Sequence, residues 1–438
     1  MDYRETVEYL FNSTPVFERI GAGAYKEGLA NSHALDSHFG HPHRKFKSIH
    51  VAGTNGKGSV SHTLASILQA SHLKVGLYTS PHLVDFRERI RVNGQCISEE
   101  WVVDFVKNER HFFEPLHPSF FELTTAMAFK YFAEQKVDVA VVEVGLGGRL
   151  DCTNIITPEL SIITNISFDH TQFLGNTLEA IAREKAGIIK TGVPVVIGET
   201  TPETRRVFEA IAKEREAPIS FAEECDFACF AGQQANEGSI GSQDVTDLFD
   251  FELKGAYQQN NKRTILCASK QLGLSVEAIR KGMANVCEST GLMGRWQTLC
   301  KHPLVVCDTG HNVGGWQYLS KQIIQQKCLT RRIVFGMVDD KDIETVMQLL
   351  PKDATYYWTQ ASSHRAIPHS TVRSYAERHG LKGQSYDSVA KAFSQAMSEA
   401  SAEDFIFVGG SSYVVADLLA NVCSDNTLLA GQSQLPNI

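Results

Sequence analysis

A glycine-rich stretch near the start of the chain has the residue types of a phosphate-binding loop. The stretch is HVAGTNGKGSV, at residues 50–60. Its glycines permit a tight turn in which backbone N–H groups face an anion, and Lys57 supplies a positive charge for the outer phosphates. An apolar run precedes the loop and a helical pattern follows it, as in known P-loops. The alternative is a tight strand-to-helix turn with an exposed lysine.

This stretch departs from the common P-loop pattern at two points. Two rather than four residues separate Gly53 from the Gly-Lys pair, and Gly58 follows Lys57 where the common pattern has Ser or Thr. In the common pattern that hydroxyl binds Mg²⁺. If this loop holds nucleotide phosphates, other side chains must bind the metal ion.

The elements around the loop predict an α/β protein with two domains. Short apolar runs rich in Val and Ile alternate with helical patterns, which predicts a mostly parallel sheet covered by helices on both faces. A second, similar series begins near Trp296 and predicts a smaller doubly wound domain. We place the boundary in CESTGLMGRWQ, so that the predicted domains are residues 1–293 and 294–438. Residues 221–252 read as irregular hairpins or an insertion, and the last dozen residues as a loosely held tail.

The predicted elements of the two series are as follows. The first has strands at 47–53, 74–80, 137–145, 160–167 and 194–199, and helices at 58–71, 121–135 and 178–190. The second has strands at 304–310, 331–337, 354–359 and 404–410, and helices at 315–326 and 342–350.

Composition limits the classes of function. The 438 residues carry a net charge of −8, with 43% hydrophobic and 21% charged residues, as in ordinary globular proteins. A general nucleic-acid or membrane-surface binder would need a basic face, so we expect neither partner. The start, MDYRETVEYLF, lacks the features of a secretory signal. Ten scattered cysteines without a C-x-x-C pair predict reduced, mostly buried thiols in the cytoplasm. We expect a monomer.

The loop belongs to a set of motifs with one family pattern. VAGTNGKGS resembles the ATP loop of the Mur ligase superfamily, and specifically that of folylpolyglutamate synthase and dihydrofolate synthase. The matching motifs follow in order over nearly the whole chain: YTSPHL at 78–83, FFELTT at 120–125, EVGLGGRLDCTN at 143–154, DHTQFLG at 169–175, REKAGIIK at 183–190, GRW at 294–296 and DTGHN at 308–312. The resemblance implies a P-loop domain with a mostly parallel sheet and a smaller doubly wound α/β domain after it.

The resemblance also implies where the metal ligands lie. The family positions for Mg²⁺ ligands are Ser80, Glu143 and His170, each at the end of a predicted strand. Such strand ends meet at the ligand-binding edge of a parallel sheet. A hydroxyl and a carboxylate suit Mg²⁺ better than an imidazole does. The alternatives are a turn cap for Ser80, a paired carboxylate for Glu143, and a structural pair of His170 with Asp169.

The family activity is ATP-dependent amide formation through an acyl phosphate, with Lys57, His170 and Lys185 as the catalytic residues by resemblance. The lysine of REKAG is carbamylated in this family, which requires a neutral amine and hence a pKa lowered by burial or by nearby positive charge. The alternative is an exposed helix lysine paired with Glu184 or Glu179. The residue that deprotonates the glutamate amine is not identified.

The nucleotide and folate contacts are also taken from the resemblance. The nucleotide contacts are Gly53, Thr54, Asn55, Gly56, Lys57, Gly58, Ser59, Asn261, Arg295, Asp308 and His311. The substrate contacts are Leu83, Phe121, Asp151 and Asn154. Arg295 could instead be a surface cation and Asp308 a helix cap, and Phe121 could belong to the core. Tyr257 departs from the family, where many relatives have His.

Two polar stretches have simpler interpretations. RERIRVNG alternates Arg87, Arg89 and Arg91, which predicts one strand face that attracts folate or, as we favour, is merely solvated. SHFGHPHRK is rich in histidine, but its Gly40 and Pro42 favour a surface loop over a metal site.

We therefore expect a ligase that uses Mg-ATP to add L-glutamate to dihydropteroate, to reduced folates, or to both. One alternative is a Mur-type ligase of cell-wall peptides, which would carry a further N-terminal domain. The other is a non-catalytic ATP-binding switch, which would not need Glu143, His170 and Lys185 together.

Overall fold

The computed structural model describes residues 1–14, 28–230 and 246–424, and the predicted tail and part of the predicted insertion lie outside these ranges. The chain divides into two compact units. The first comprises Met1–His82, Phe86–Glu252 and Gln258–Leu292, and the second Leu83–Asp85, Leu253–Tyr257 and Met293–Ile438. The short segments at 83–85 and 253–257 have no signature in the sequence that assigns them to the second unit.

The first unit is an eight-stranded sheet with helices on both faces. Its strands are β1 (Lys47–Ala52), β2 (Val75–Tyr78), β3 (Ile90–Val92), β4 (Gln95–Cys96), β5 (Val139–Glu143), β6 (Leu160–Ile163), β7 (Val195–Ile197) and β8 (Ile219–Phe221). Its helices are α1 (Tyr3–Ser13), α2 (Ala30–His38), α3 (Lys57–Ala70), α4 (Glu99–Phe113), α5 (Phe120–Glu134), α6 (Thr171–Leu174), α7 (Leu178–Lys185), α8 (Pro202–Glu214), α9 (Gln258–Gln271), α10 (Val276–Ala284) and α11 (Val286–Thr290).

The strand order β4-β3-β2-β5-β1-β6-β7-β8 places β1 near the middle of the sheet. The neighbouring strands in the series β2-β5-β1-β6-β7-β8 all run parallel. At one edge of the sheet, β3 and β4 are added in antiparallel orientation. Five of the six residues of β1 are buried, as expected for a strand covered on both faces. The carboxyl ends of β1, β2, β5 and β6 therefore meet at one edge.

The second unit is a six-stranded sheet of order β13-β12-β11-β14-β10-β9, parallel except for β9. Its strands are β9 (Gln297–Lys301), β10 (Leu304–Asp308), β11 (Arg331–Phe335), β12 (Thr355–Trp358), β13 (Gly383–Ser385) and β14 (Phe405–Gly409). Its helices are α12 (Val313–Ile324), α13 (Ile343–Leu349), α14 (His369–Arg378), α15 (Val389–Ser398) and α16 (Ser412–Ser424).

Alternate residues of this second sheet enter two different cores. On β14, Phe405 and Phe407 pack in one hydrophobic cluster, whereas Ile406 and Val408 pack in the other. Side chains alternate across a strand, so the sheet is covered on both faces. The predicted α/β class, with a mostly parallel sheet in each of two domains, is confirmed.

Most predicted strands are a few residues too long, and two of the elements that end early do so at the site described below. The predicted strand 160–167 ends at Ile163, and the predicted helix 178–190 ends at Lys185, where a 3-10 turn follows over Ala186–Ile188. At Gly187, an added Cβ would lie 2.3 Å from Arg149 Cα, so this turn packs directly on a neighbouring backbone. Ala186, Ile188 and Ile189 are buried in a hydrophobic cluster, which explains why the apolar pattern continues although the helix stops.

The prediction that the three arginines share one solvated strand face is wrong. Phe86–Arg89 forms a 3-10 helix, and of the three arginines only Arg91 lies in a strand. Arg89 is 2% exposed and Arg91 is 8% exposed, so they form no solvated face. The Arg89 guanidinium donates from Nε to His82 Nδ1 at 2.7 Å.

The histidines of the histidine-rich stretch are held by two carboxylates, and His38 Nε2 lies 2.9 Å from Glu109 Oε2. Pro42–Lys45 forms a 3-10 turn, and Asp36 bonds His41 Nδ1 at 2.6 Å and His43 Nδ1 at 2.5 Å. Over residues 1–14, 28–230 and 246–424, no three His, Cys, Asp or Glu side chains are grouped to hold a metal ion. The same ranges contain no helix long and apolar enough to cross a bilayer.

The cysteines are free but less buried than predicted. The nine cysteines whose side chains the structure describes are free thiols. Of these nine, Cys267 and Cys307 are buried, Cys229 is exposed and the others are intermediate. The prediction of reduced thiols is confirmed for these residues, and the prediction that most are buried is wrong.

Candidate active site

The glycine-rich loop joins the end of β1 to the start of α3. Gly56 is the N-cap of α3, with φ +85°, and no side chain caps this helix. The first four N–H groups of a helix have no partner within it. In α3 these N–H groups begin at the loop, so the positive end of the helix is available to bind an anion.

Part of the loop is fixed by the segment that follows β6. Asn165 accepts from the Thr54 N–H through its carbonyl and from the Asn55 N–H through its side-chain Oδ1, both at 2.9 Å. Thr164 donates its hydroxyl to the Asn55 carbonyl at 2.6 Å. The amides of Thr54 and Asn55 are thus committed to the loop, and hydrogen bonding within α3 starts at the Val60 N–H, which donates to the Gly56 carbonyl at 2.9 Å.

Helix α9 braces the other side of the loop. Gln258 donates from Nε2 to Ser59 Oγ at 3.0 Å and accepts from Asn261 Nδ2 at 2.8 Å. A Cβ added to Gly56 would lie 2.2 Å from Asn261 Oδ1. Asn261 is 5% exposed, and its side chain packs against the loop backbone at Gly56.

Lys57 and Lys185 converge on the same acceptor. Lys57 Nζ lies 3.0 Å from the Gly53 carbonyl oxygen and 3.1 Å from that of Thr54. Lys185 Nζ lies 2.9 Å from the Gly53 carbonyl oxygen, although it starts from the far end of α7. Lys185 is 5% exposed, and the alternative of an exposed surface lysine is wrong.

The surroundings of Lys185 favour its neutral amine. Burial, and next the charge of Lys57, lower the pKa of Lys185 from 10.5 to about 7, while Asp169 and Asp151 oppose this shift. Burial disfavours a cation, and a second cation nearby does the same. The backbone of Lys185 packs on the loop after β5, where a Cβ on Gly148 would lie 2.7 Å from the Lys185 carbonyl oxygen.

Ser80 and Glu143 lie together, at the ends of two adjacent parallel strands. The Ser80 N–H donates to Glu143 Oε2 at 3.2 Å. Glu143 is paired in register with Val51, two residues before Gly53, and is 4% exposed. A buried carboxylate is costly without a cation or strong donors. Ser80 has a hydroxyl and Glu143 a carboxylate, which are types of oxygen ligand that Mg²⁺ prefers, so these two residues fit the ion in their chemistry.

His170 lies at the N-cap of α6 in the left-handed conformation, with φ 49°. Its N–H donates to Asp169 Oδ1 at 2.9 Å, and its side-chain Nε2 lies 3.8 Å from the same oxygen. The pairing with Asp169 that the sequence offered as the structural alternative is thus present. A role of His170 at the metal stays a prediction.

Asp151 orders the loop that follows Glu143. Its carboxylate accepts from the N–H groups of Gly145 and Leu146 at 3.0 and 2.9 Å, and from both the N–H and the hydroxyl of Thr153. Burial raises its pKa, and these hydrogen bonds oppose that shift. Because this carboxylate accepts four hydrogen bonds from nearby residues of the chain, it holds the loop in place.

The Thr153 hydroxyl in turn accepts from a buried histidine. Because it donates to Asp151, Thr153 Oγ1 accepts from His50 Nε2, at 2.8 Å. Burial, and next the charge of Lys190, lower the pKa of His50 to about 3, so the ring is neutral. The chain His50–Thr153–Asp151 therefore fixes this side of the site from within β1.

Phe121 and Asn154 lie near the same loop. The Phe121 ring stacks on Tyr78 at 5.7 Å between centroids, and a Cβ on Gly145 would lie 2.5 Å from it. Asn154 donates from Nδ2 to the carbonyls of Arg149 and Gly187, at 3.1 and 3.0 Å. Its Oδ1 is buried and has no hydrogen-bond partner within the described chain. Asn154 thus offers an acceptor, and Phe121 an aromatic surface.

In the second unit, Asp308 ends β10 and is 2% exposed. It accepts from the Tyr257 hydroxyl at 2.6 Å, from the Trp296 N–H at 2.7 Å and from the Gly310 N–H at 2.8 Å. Burial raises its pKa, and Tyr257 is the first of the groups that oppose this. Tyr257, whose role the sequence left open, is therefore the side-chain donor to this carboxylate.

The other predicted residues of this unit have local partners. Arg295 donates to the Thr309 hydroxyl, and His311 Nδ1 lies 3.0 Å from the Thr309 carbonyl oxygen. Leu83 belongs to a hydrophobic cluster of the second unit, and its Cδ1 lies 3.1 Å from a Cβ built on Gly294. Leu83 is therefore engaged in packing.

Several residues that build this site were not predicted. They are His50, Thr164, Asn165, Ser167 and Gln258, and all of them are polar. Thr164, Asn165 and Ser167 follow directly on β6, so the rule that ligand sites lie at strand ends would have found them. Gln258 gives no such signal, because it reaches Ser59 across 199 residues of sequence.

Models of known protein families match both parts of the chain. The model of the Mur ligase middle domain matches residues 51–262, and that of the Mur ligase glutamate ligase domain matches residues 294–412. The dihydrofolate synthase/folylpolyglutamate synthase of Bacillus subtilis (strain 168) is 37% identical over 344 residues, which are 74% of this chain and 79% of that relative.

Two solved structures resemble the whole chain. The structure of E. coli FolC in complex with DHPP and ADP has a TM-score of 0.83 at 30% identity, and covers 97% of this chain and 98% of its own. The bifunctional folylpolyglutamate synthase/dihydrofolate synthase of Yersinia pestis, complexed with AMPPNP and a Mn ion, has a TM-score of 0.79 at 30% identity, with the same two shares. This chain therefore belongs to the folylpolyglutamate synthase/dihydrofolate synthase family of the Mur ligases, the ATP-dependent amide-forming ligases.

Proposed function

We propose that this protein uses ATP to join L-glutamate to dihydropteroate, to reduced folates, or to both. The observation that carries the proposal is the meeting of four groups at one sheet edge. Lys57 and Lys185 share the Gly53 carbonyl, and Ser80 and Glu143 are hydrogen-bonded on the neighbouring strands. The sequence predicts a cytoplasmic monomer, and both statements remain predictions.

The start of α3 binds the nucleotide phosphates in this proposal. The N–H groups from Gly56 to Ser59 point at the anion, and Lys57 exchanges its carbonyl partners for phosphate oxygens. Phosphoryl transfer needs positioning and neutralisation of charge more than it needs a nucleophilic side chain. Arg295, Asp308 and His311 are proposed nucleotide contacts on the evidence of their motifs alone.

Ser80 and Glu143 would hold Mg²⁺, in the place of the hydroxyl that usually follows the P-loop lysine. The ion would neutralise phosphate charge during transfer. Relatives support a divalent ion, since the Yersinia pestis enzyme was solved with AMPPNP and Mn. His170 is proposed as a further ligand from its motif.

Lys185 is proposed to be carbamylated. A neutral amine is the form that reacts with carbon dioxide, and its pKa of about 7 makes that form abundant at neutral pH. The product has an anionic oxygen end, which suits a position between Lys57 and a metal ion. The modification also removes the conflict between two cations on one carbonyl oxygen.

The folate end is proposed at Phe121 and Asn154. A pterin ring stacks well on an aromatic side chain and needs directed hydrogen bonds. The buried Asn154 Oδ1 is an acceptor without a partner in the described structure. Asp151 is proposed to act on this site through the loop that it anchors. The E. coli relative was solved with DHPP, which supports a pteroate-type substrate.

The test is one assay with parallel arms: purified protein, Mg-ATP, labelled glutamate, and dihydropteroate, tetrahydrofolate or a nucleotide-linked muramyl peptide. ADP release that matches labelled product in the first or second arm supports the proposal, and product in both shows two activities. Product only in the third arm would establish the cell-wall alternative. ATP binding without transfer in any arm would favour the switch.

A further inference from the structure

His50 is a buried histidine of β1 whose ring takes no part in the proposed chemistry. The residue is fully buried, and its Nε2 lies 2.8 Å from Oγ1 of Thr153, which is fully buried as well. Thr153 belongs to the 3-10 turn Cys152–Ile155, in which Asp151 is the N-cap. This hydrogen bond thus joins a central strand of the sheet to the segment that carries the proposed folate contact Asn154.

The direction of this hydrogen bond follows from the single proton of the threonine hydroxyl. Thr153 Oγ1 donates to Asp151 Oδ1, so the hydroxyl can only accept from His50, which must carry its proton on Nε2. The other ring nitrogen, Nδ1, is buried and has no hydrogen-bond partner within the described chain. Since burial and the charge of Lys190 lower the pKa of His50 to about 3, the ring is a neutral donor with one fixed tautomer at neutral pH.

The Asp151 carboxylate connects this pair to the turn that follows β5. Its Oδ1 accepts from Thr153, and its Oδ2 accepts from the N–H groups of Gly145 and Leu146 at 3.0 and 2.9 Å. The turn lies directly against the proposed pterin-binding ring, because a Cβ on Gly145 would be 2.5 Å from Phe121 Cε1. An unbroken series of hydrogen bonds therefore runs from the buried histidine to the backbone beside this ring.

We propose that His50 is a positioning residue for the pterin-containing substrate, acting through Thr153 and Asp151 on the turn beside Phe121. The inference rests on the proposed function, because it takes the folate end to lie at this turn. Without a donor at position 50, the Thr153 hydroxyl can rotate to other acceptors, and the Asp151 carboxylate loses a donor that fixes its orientation. Substrate binding then has to order the turn first, which lowers the affinity.

A second anchor holds the same segment independently of His50. Lys190 donates from Nζ to the Asn154 carbonyl at 2.8 Å, and the Asn154 N–H donates to the Asp151 carbonyl at 2.8 Å. We therefore expect a variant at position 50 to fold and to keep the segment in place, while the carboxylate and the turn become less ordered.

The first test compares the steady-state kinetics of His50→Leu and His50→Gln. In His50→Leu, KM for dihydropteroate or tetrahydrofolate should rise about tenfold, as expected for the loss of one hydrogen bond in a series that ends on a charged group. KM for ATP and kcat should stay at their wild-type values. His50→Gln should restore the wild-type KM for the pterin substrate, because its side-chain amide places a donor near the position of Nε2.

His62→Leu is the matched control. His62 is 6% exposed and its Nδ1 lies 2.8 Å from Thr290 Oγ1, so this variant also loses a buried His–Thr hydrogen bond. Thr290 donates to the Val286 carbonyl, however, and not to a carboxylate of the site. His62→Leu should keep the wild-type KM for the pterin substrate. A wild-type KM in His50→Leu, an equal rise in KM for ATP, an equal rise in the control, or a defect that glutamine does not reverse would overturn the proposal.

The second test needs no turnover. The amides of Gly145 and Leu146 should exchange hydrogen for deuterium faster in His50→Leu and in Thr153→Val than in the wild type, in His50→Gln and in His62→Leu, as measured by mass spectrometry of the peptide that contains them. Unchanged exchange would overturn the proposal even in an active enzyme.

The two tests also separate this inference from the proposed function. A wild type that is inactive with every pterin substrate would refute the proposed function, and the exchange of the two amides would still decide whether His50 orders the turn. If His50→Leu does not fold, Thr153→Val, which keeps the shape of the side chain, supplies both readouts.

Discussion

Lys57 and Lys185 both point at the carbonyl oxygen of Gly53, from 3.0 and 2.9 Å. One lysine comes from the start of α3 and the other from the end of α7. Two ammonium groups so close repel each other, and the more buried of them, Lys185, has the lowered pKa.

Removal of Lys57 should stop the reaction without unfolding the protein. We expect Lys57→Met to lower kcat by about 100-fold or more, because a charge that acts on the phosphates is lost. Lys213→Ala, at an exposed lysine of α8, is the matched control and should leave kcat unchanged. Steady-state ADP release measures both variants, and a Lys57→Met enzyme with normal kcat would refute the loop assignment.

The same variant should shift the titration of Lys185. Burial and Lys57 lower the pKa of Lys185 from 10.5 to about 7, so loss of Lys57 should raise it. Carbamylation needs the neutral amine, which decreases about tenfold for each pH unit below the pKa. The carbamate signal of protein in isotopically labelled bicarbonate should thus rise with pH around 7 in the wild type and at higher pH in Lys57→Met. Identical titrations would show that the two lysines do not interact.

Stability should depend on pH through Lys185 in a defined direction. Its folded-state pKa of about 7 is below the ordinary 10.5, so the unfolded chain binds more protons between these values. The free energy of unfolding contributed by this group therefore rises with pH across that window. Without bicarbonate, Lys185→Met should flatten this rise in denaturant titrations at several pH values. An unchanged slope would contradict the burial of a titrating amine.

Gly56 should tolerate no side chain, for two separable reasons. Its φ of +85° costs an L-residue about 1–2 kcal/mol, and a Cβ there would lie 2.2 Å from Asn261 Oδ1. Gly192 has a φ of +72° with nothing within 4 Å, so Gly192→Ala tests the strain alone. We expect both variants to lose stability, but only Gly56→Ala to lose nucleotide affinity as well. Calorimetry with ADP distinguishes them, and equal affinities would argue against the brace by α9.

Tyr257 should stabilise the second unit through the Asp308 carboxylate. Tyr257→Phe leaves a buried acceptor with one donor fewer, which should cost about 1–3 kcal/mol in the free energy of unfolding at neutral pH. Since the lost hydrogen bond favours the ionised form, the pKa of Asp308 should rise and the loss should shrink as the pH falls. Tyr375→Phe, at a half-buried tyrosine, is the control. Denaturant unfolding measures both, and a pH-independent difference would contradict this account.

Local pattern predicted the elements well, because strands buried on both faces have a strong signature. All five residues of β5 are buried, and its apolar run was evident in the sequence. The pattern failed where tertiary contacts end an element. Nothing local shows that the chain leaves β6 at Thr164 to hold the loop, or that Arg89 is buried.

The site was predicted in part, since motifs indicate residue types but not their partners. That Ser80 lies close to Glu143 could be predicted, because the ends of neighbouring parallel strands converge. The substrate role of Asp151 stays a prediction, and the motif did not show that its carboxylate accepts four hydrogen bonds within its own loop. The substrate role of Leu83 also stays a prediction, and its packing in the second unit depends on residues more than 200 positions away, which no local motif shows.

The central claim is that Ser80 and Glu143 replace the missing loop hydroxyl as ligands of the nucleotide's metal ion. Calorimetry with AMPPNP, in Mn²⁺ and in chelator, tests it most directly, with Glu143→Gln beside the control Glu159→Gln at an exposed carboxylate. The wild type and the control should bind about tenfold tighter or more with Mn²⁺, a gain of ~1.4 kcal/mol. Glu143→Gln should bind equally in both conditions, and a Glu143→Gln protein that keeps the full gain from Mn²⁺ would contradict the claim.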